Sequence, residues 1–274
     1  MSQKTILKQE MKKTEEKSDN MNKSKPMIRK YNPILCNNFN IKNYSLTDLE
    51  INNERNKSHM IAYPRYSDQT FVFQTPEFTM SQYGIPPLGD YAKTDAQRTT
   101  LKLPLDPKQE SCVQMENMFS QIDQYIKTNQ KKIFSGKLAD LKFSYKSIVR
   151  EPKKPSVIED PKTKKKGEKD QEPMIKEKCK FWKAKLDLTY PEGLIQTSVY
   201  IKNPNGNEKP EKKIVTTVTE LEQYLTWASK VRFIVMMNKL WAEKNPKDED
   251  TEVRKYGLTF KIALFTVSLA LCTL

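Results

Sequence analysis

KVRFIVMMNKLWAEK (230–244) and KYGLTFKIALFTVSL (255–269) read as two long β-strands joined by the polar loop NPKDEDTEV (245–253). Valine, isoleucine, phenylalanine and threonine dominate both, as they do in pleated, half-buried backbone. The stretches before them carry the same period. In FWKAKLDLTY (181–190), Trp182, Ala184, Leu186, Leu188 and Tyr190 alternate with Phe181, Lys183, Lys185, Asp187 and Thr189. Alternation of that kind puts the two sets on opposite faces of a strand. A turn at Pro191–Gly193 leads into LIQTSVYIK (194–202), NPNGN (203–207) is a turn, and TVTELEQYL (217–225) reads as a short helix capped by Thr219.

Farther upstream, KFSYKSIVR (142–150) alternates Phe143 and Tyr145 against Lys142, Ser144 and Lys146. RTTLKLPL (98–105) sets Thr99, Leu101, Leu103 and Leu105 against Thr100 and Lys102, with Pro104 arguing for a sheet edge. Between these two lies the strongest helix signal. Asp106 can cap it, Pro107 suits a first turn, and Gln109 completes a D-x-x-Q box. Met115, Met118, Phe119, Ile122, Tyr125 and Ile126 then form one apolar stripe. FVFQTPEFTM (71–80) is a strand interrupted or edged at Pro76, and SQYGIPPLGDY (81–91) is a loop. The expected fold is mainly β with one long α-helix.

Order is expected from about Ile61. Residues 1–58 read as a disordered, then Asn-rich and loosely attached arm. Residues 59–270 read as a single domain, with 151–178 a flexible, charge-dense insertion and 271–274 a terminal end.

The 274 residues hold 48 Lys+Arg against 34 Asp+Glu, a net charge of +14, and only 36% of them are apolar. An ordinary globular domain has about 45–50%, so part of the chain is solvated rather than packed. His59 is the sole histidine, so a Ser/His/Asp triad or a His-containing metal site has to use it or do without. The seven glycines include no G-x-G pair and no G-x-x-x-x-G-K-[ST] loop, which excludes the usual phosphate loops. The four cysteines, Cys36, Cys112, Cys179 and Cys272, are far apart, which argues against a disulfide framework. Glu110, Glu116, Asp187 and Glu192 are the candidate acids, and nothing in the pattern opposes one to another. The chain is therefore expected to be no enzyme and to use no cofactor or metal. The N-terminus lacks the apolar core of a signal peptide. The thirteen uncharged residues IALFTVSLALCTL (262–274) are fewer than the ~20 of a membrane span and read as a buried strand, with a marginal tail anchor or an altered terminus as the alternatives. No membrane partner is expected.

Cations and aromatics interleave on the strands. Lys183 and Lys185 share a face with Phe181, and Lys102 faces away from the leucines of its strand. Arg232 shares a strand with Lys239 and Trp241, while Arg254, Lys255 and Tyr256 open the last one. Lysine and arginine for phosphates, with aromatic rings for bases, are what sequence-tolerant binding of a single strand requires. These ten residues are the candidate nucleic-acid contacts.

In its order of elements the chain resembles the phage-type single-stranded DNA-binding proteins of short-tailed phages. It is closer still to their relatives encoded by nucleocytoplasmic large DNA viruses. KVRFIVMMNKLWAEKN (230–245) and KYGLTFKIALFTV (255–267) are similar to that family's strand, aromatic/Asn/Lys turn and Gly-containing return strand. TLKLPLDPKQESCVQMENMFSQIDQYI (100–126) is similar to its strand-then-long-helix unit, and 151–178 falls where the family accepts insertions. The resemblance spans roughly 60–270. It implies an OB-fold, a five-stranded barrel holding single-stranded DNA in a groove. It further implies a part in viral DNA replication, recombination or repair, with a polymerase and a helicase as partners. The setting would be a virus factory in the host cytoplasm, the nucleus, or the virion. No acid follows Glu252, a departure from the acidic tail that the resemblance implies. The sequence leaves open homodimerisation and the choice between DNA and RNA. The rival expectation is a virion structural or minor capsid-associated protein, its Asn-rich arm threading between subunits.

Overall fold

The computed structural model describes residues 32–52, 57–152, 178–189, 192–202, 209–247 and 251–268. At its centre β13 (Lys230–Glu243) and β14 (Arg254–Ser268) pair antiparallel from Lys230↔Ser268 to Ala242↔Tyr256. Register shifts at Ile234/Val235 and Met237/Lys239 break this ladder. Such bulges add local twist. The free edge of β14 takes three strands in succession, all parallel to it: β9 (Phe143–Lys146), β10 (Lys180–Leu186) and β11 (Ser198–Ile201). The free edge of β13 takes three antiparallel ones: β7 (Phe78–Thr79), β6 (Val72–Gln74) and β3 (His59–Ala62).

Beyond these flanks, β8 (Thr100–Leu105) pairs antiparallel with β10, β1 (Ile34–Leu35) parallel with β6, and β12 (Glu211–Lys213) antiparallel with β11. Among the described residues eleven strands thus make one sheet, and β2 (Tyr44–Leu46), β4 (Pro64–Tyr66) and β5 (Gln69–Thr70) a second one of three. The protein is mainly β, and its main sheet has more strands than the five expected.

Among the described residues one helix of length, α1 (Glu110–Thr128), covers the core face of the sheet. Its Met115, Met118, Phe119, Ile122 and Ile126 are buried, as the stripe required. Phe119 meets rings from three strands: Phe73 at 6.0 Å, Trp182 at 5.1 Å and Phe260 at 5.7 Å. Among the described residues two short α-helices follow it, α2 (Gln130–Ile133) and α3 (Val218–Glu222). Among the described residues no helix is long and apolar enough to cross a membrane. Cys36, Cys112 and Cys179 are free.

Several local expectations need correction. The D-x-x-Q box does not form. Asp106 Oδ1 accepts from the Lys108 N–H at 3.0 Å, and α1 starts only at Glu110. The Gln109 amide instead pairs with the backbone of Thr79, accepting at 2.7 Å and donating at 3.0 Å, like one residue of an added strand. The cap of α3 is Thr217, in a box with Glu220, and Thr219 bonds Asp95. The strand in 194–202 covers only Ser198–Ile201. Pro76 does split its stretch, into β6 and β7.

The second half of the expected arm is anchored. Cys36 and Tyr44 are buried, the Phe39 ring lies 5.6 Å from that of Phe71, and the Tyr44 hydroxyl donates to Met237 Sδ at 3.6 Å. Its apolar residues are spaced irregularly among asparagines, so no period of 2 or 3.6 announces them. The rest of the arm up to residue 31, residues 153–177, NPNGN and the terminal end lie outside the described residues.

Candidate functional site

β10 turns Trp182, Ala184 and Leu186 inward, all buried, so Phe181, Lys183 and Lys185 face outward. β8 pairs Lys102 with Lys183, which brings two ammonium groups to the same side. Lys102 Nζ sits 5.5 Å above the Phe181 ring. Across Phe181 the backbone of Arg150 pairs in both directions, at 2.8 and 3.0 Å. That pairing puts the guanidinium-bearing residue next to the ring.

The approach from the other side depends on a turn. Tyr83 (φ 64°) and Gly84 (φ 111°) are both left-handed, and Gly84 then pairs with Lys102 on the outer edge of β8. The turn carries the Tyr83 ring to 5.0 Å from that of Phe181, with its hydroxyl donating to the Cys179 carbonyl at 2.6 Å.

These residues line an open cleft of about 670 Å³. Among the described residues its walls carry Lys102, Lys146, Arg150, Lys178 and Lys183 against one carboxylate, Glu151, with Tyr83 and Phe181 as its rings. Crowding of like charge is felt within it. The Lys183 ammonium is held below the usual lysine range by burial first, then by Arg150, Lys102 and Lys146. Lys146 is lowered likewise, by burial and then by Lys255 and Arg150.

Lys146 reaches the cleft because of a buried carboxylate. Asp123 on α1 accepts the Tyr145 hydroxyl at 2.7 Å and the Ile148 N–H at 3.0 Å. Burial pushes its carboxyl up, against the pull of those bonds. With Tyr145 and Ile148 fixed inward, Lys146 turns outward, and its Nζ lies 5.7 Å from the Trp241 ring. Gly257 makes room for this crossing: a Cβ there would meet Lys146 O at 3.1 Å and Trp241 at 3.6 Å. Trp241 is half-buried on the outer face, between buried Leu240 and Ala242, with His59 edge-on at 5.5 Å. The cationic face continues through Lys255 and through Lys239, which burial and then Lys185 hold below the usual range.

The structure therefore brings Lys102, Phe181, Lys183, Lys185, Lys239, Trp241 and Lys255 to one face. It separates three of the expected residues from them. Tyr256 is fully buried, edge-on to Phe134 at 4.9 Å, and its hydroxyl donates to Gln130 at 2.9 Å, so no base can reach its ring. Arg254 is spent on backbone, donating from Nε to the Lys244 carbonyl at 2.9 Å. Arg232 lies seven residues from Lys239, about 23 Å along the strand, in another pocket. Sequence reasoning missed Tyr83 and Lys178, which lie in stretches without periodicity, and Arg150, which ended the stretch read as a strand over 142–150; β9 closes at Lys146, and Arg150 meets β10 only through its bridge to Phe181. It also passed over Lys146, although Lys146 stood on the polar side of a strand already recognised.

Among the described residues no three His, Cys, Asp or Glu side chains cluster as metal ligands. No family model matches the chain. The uncharacterized protein R505 of Acanthamoeba polyphaga mimivirus is 29% identical over 252 residues, covering 84% of this chain. The chain spans only 58% of that relative's length.

Proposed function

We propose that the protein is a non-enzymatic, sequence-tolerant single-stranded DNA-binding protein of viral DNA replication, recombination or repair. The observation that carries this reading is the cleft: five cations against one carboxylate, with two rings at its floor and Trp241 on the same face. Phosphates of a strand would take the lysines and Arg150. Its bases would lie on Phe181, Tyr83 and Trp241, each stack contributing about 1–3 kcal/mol without reading sequence. The mimivirus relative supports the viral setting. A polymerase and a helicase are the partners this role calls for. In architectural detail we read β6, β13, β14, β10 and β8, neighbours in the sheet and covered by α1, as an OB-fold-like five-stranded unit.

The test is a titration of matched single- and double-stranded oligonucleotides at several salt concentrations. Preference for the single strand, with log affinity falling linearly in log salt, is the expected result. Equal or salt-insensitive binding of both would overturn the reading.

A further inference from the structure

We infer that a second anion site lies apart from the basic cleft: a pocket around Arg232 that accepts one small oxyanion group. The pocket holds about 280 Å³. Asn37, Gln74, Thr75, Gln114 and Arg232 supply its polar wall, and among the described residues none that lines it is acidic. It borders α1 through Gln114, whereas no residue of the cleft lies on that helix.

One guanidinium among three carboxamides and a hydroxyl is a donor set for an oxyanion. Guanidinium and amide N–H groups all donate, and the planar fork of arginine matches two oxygens at once. Arg232 Nε is buried and has no hydrogen-bond partner among the described residues. A buried donor of that kind calls for an acceptor. The carboxylate whose charge Arg232 feels, Glu77, is already held by Lys202 at 2.9 Å. That ion pair keeps the Glu77 carboxyl below its usual range, with Arg232 and Lys230 adding charge. On α1, the Gln114 amide donates to Glu110 Oε1 at 3.4 Å, which leaves its second N–H for an anion.

The walls are held in place by other bonds. Thr75 Oγ1 accepts from the Phe233 N–H at 2.9 Å, and Cys36 Sγ donates to the Gln74 carbonyl at 3.2 Å.

The seven arginines of the chain make the test direct, because each gives one Nε–Hε resonance by NMR. The 274-residue chain is titrated separately with inorganic phosphate and with acetate, chloride holding the ionic strength constant. The expected result is a saturable shift of the resonance that disappears in Arg232→Lys, with half-saturation at least fivefold higher in Gln114→Leu. The anion that saturates first identifies the group as phosphate or carboxylate. Arg150 reports the cleft in the same spectra, so failure of either site is read independently. An Arg232 resonance that stays still, or moves linearly with both anions, overturns the proposal. So does loss of its response under saturating oligonucleotide, which would merge the pocket with the strand's path. Should Arg232→Lys fail to fold, Gln114→Leu, altered at a half-buried helix position, still decides between these outcomes.

Discussion

The two faces of β10 differ at every step of one residue. Trp182, Ala184 and Leu186 are buried against α1 and β14, while Phe181, Lys183 and Lys185 face the cleft side. The backbone, hydrogen bonds and pairing are shared, so the contrast comes from side chains alone. One face contributes stability by removing apolar area from water. The other keeps cations close to each other, at an electrostatic cost that an incoming polyanion would relieve. A substitution should therefore change stability or binding according to the parity of its position.

The largest effect is expected from the inner face. Trp182→Ala should lower unfolding free energy by about 3–5 kcal/mol, read from urea denaturation, while the salt slope of any DNA binding stays as it was. A stable Trp182→Ala protein with weakened binding would invert the comparison. On the outer face, Lys102→Glu with Lys183→Glu should leave the urea midpoint nearly unchanged. Single-strand affinity should drop, and the log–log salt slope should fall by about 0.7 for each phosphate that is no longer neutralised. Unchanged affinity in a folded double variant would show that this face is not the strand's path.

Trp241 sharpens the boundary, since it is half-buried on the outer side. Trp241→Ala should weaken single-strand binding by about 1–3 kcal/mol, and Trp241→Phe should remove part of the fluorescence quenching that DNA produces. Full quenching in Trp241→Phe would assign the signal to another tryptophan. The smallest effect concerns pH. Lys183 and Lys146 are held below the usual lysine range by burial first. They therefore lose their protons before ordinary lysines do as pH rises toward 10.5. In that window the unfolded chain binds more protons than the folded one, so stability rises with pH. Affinity for a polyanion should fall over the same window, because the neutral amine no longer attracts phosphate. Parallel titrations of melting temperature and affinity check the opposite signs.

Much of this contrast was legible in the sequence. Period-2 alternation announced β8, β9, β10 and the two long strands, and the stripe of Met115, Phe119, Ile122 and Ile126 announced α1. Alternation also separated Trp182 from Lys183. What it could not give was pairing between distant stretches. Arg150 and Tyr83 reach Phe181 through a backbone bridge and a left-handed turn, neither of which leaves a periodic mark. Tyr256 went wrong for a related reason. It follows two cations at the start of β14, so it looked exposed, yet Gln130 of α2, Phe134 and strand β9 close over it from elsewhere in the chain. The Asp106 cap failed because a competing partner, the Thr79 backbone, claimed Gln109.

The central hairpin bears on how the chain reaches this state during synthesis. Strands β3, β6, β7, β9, β10 and β11 all pair with β13 or β14, and all of them precede residue 230. Each therefore leaves the ribosome before its template exists. Until the last strands emerge, those edges stay without partners, and unpaired edges invite association with other chains. Pairing over such separations is also slow. The nascent chain thus depends on shielding, by a chaperone or by the early collapse of α1 onto β8, for most of its translation time.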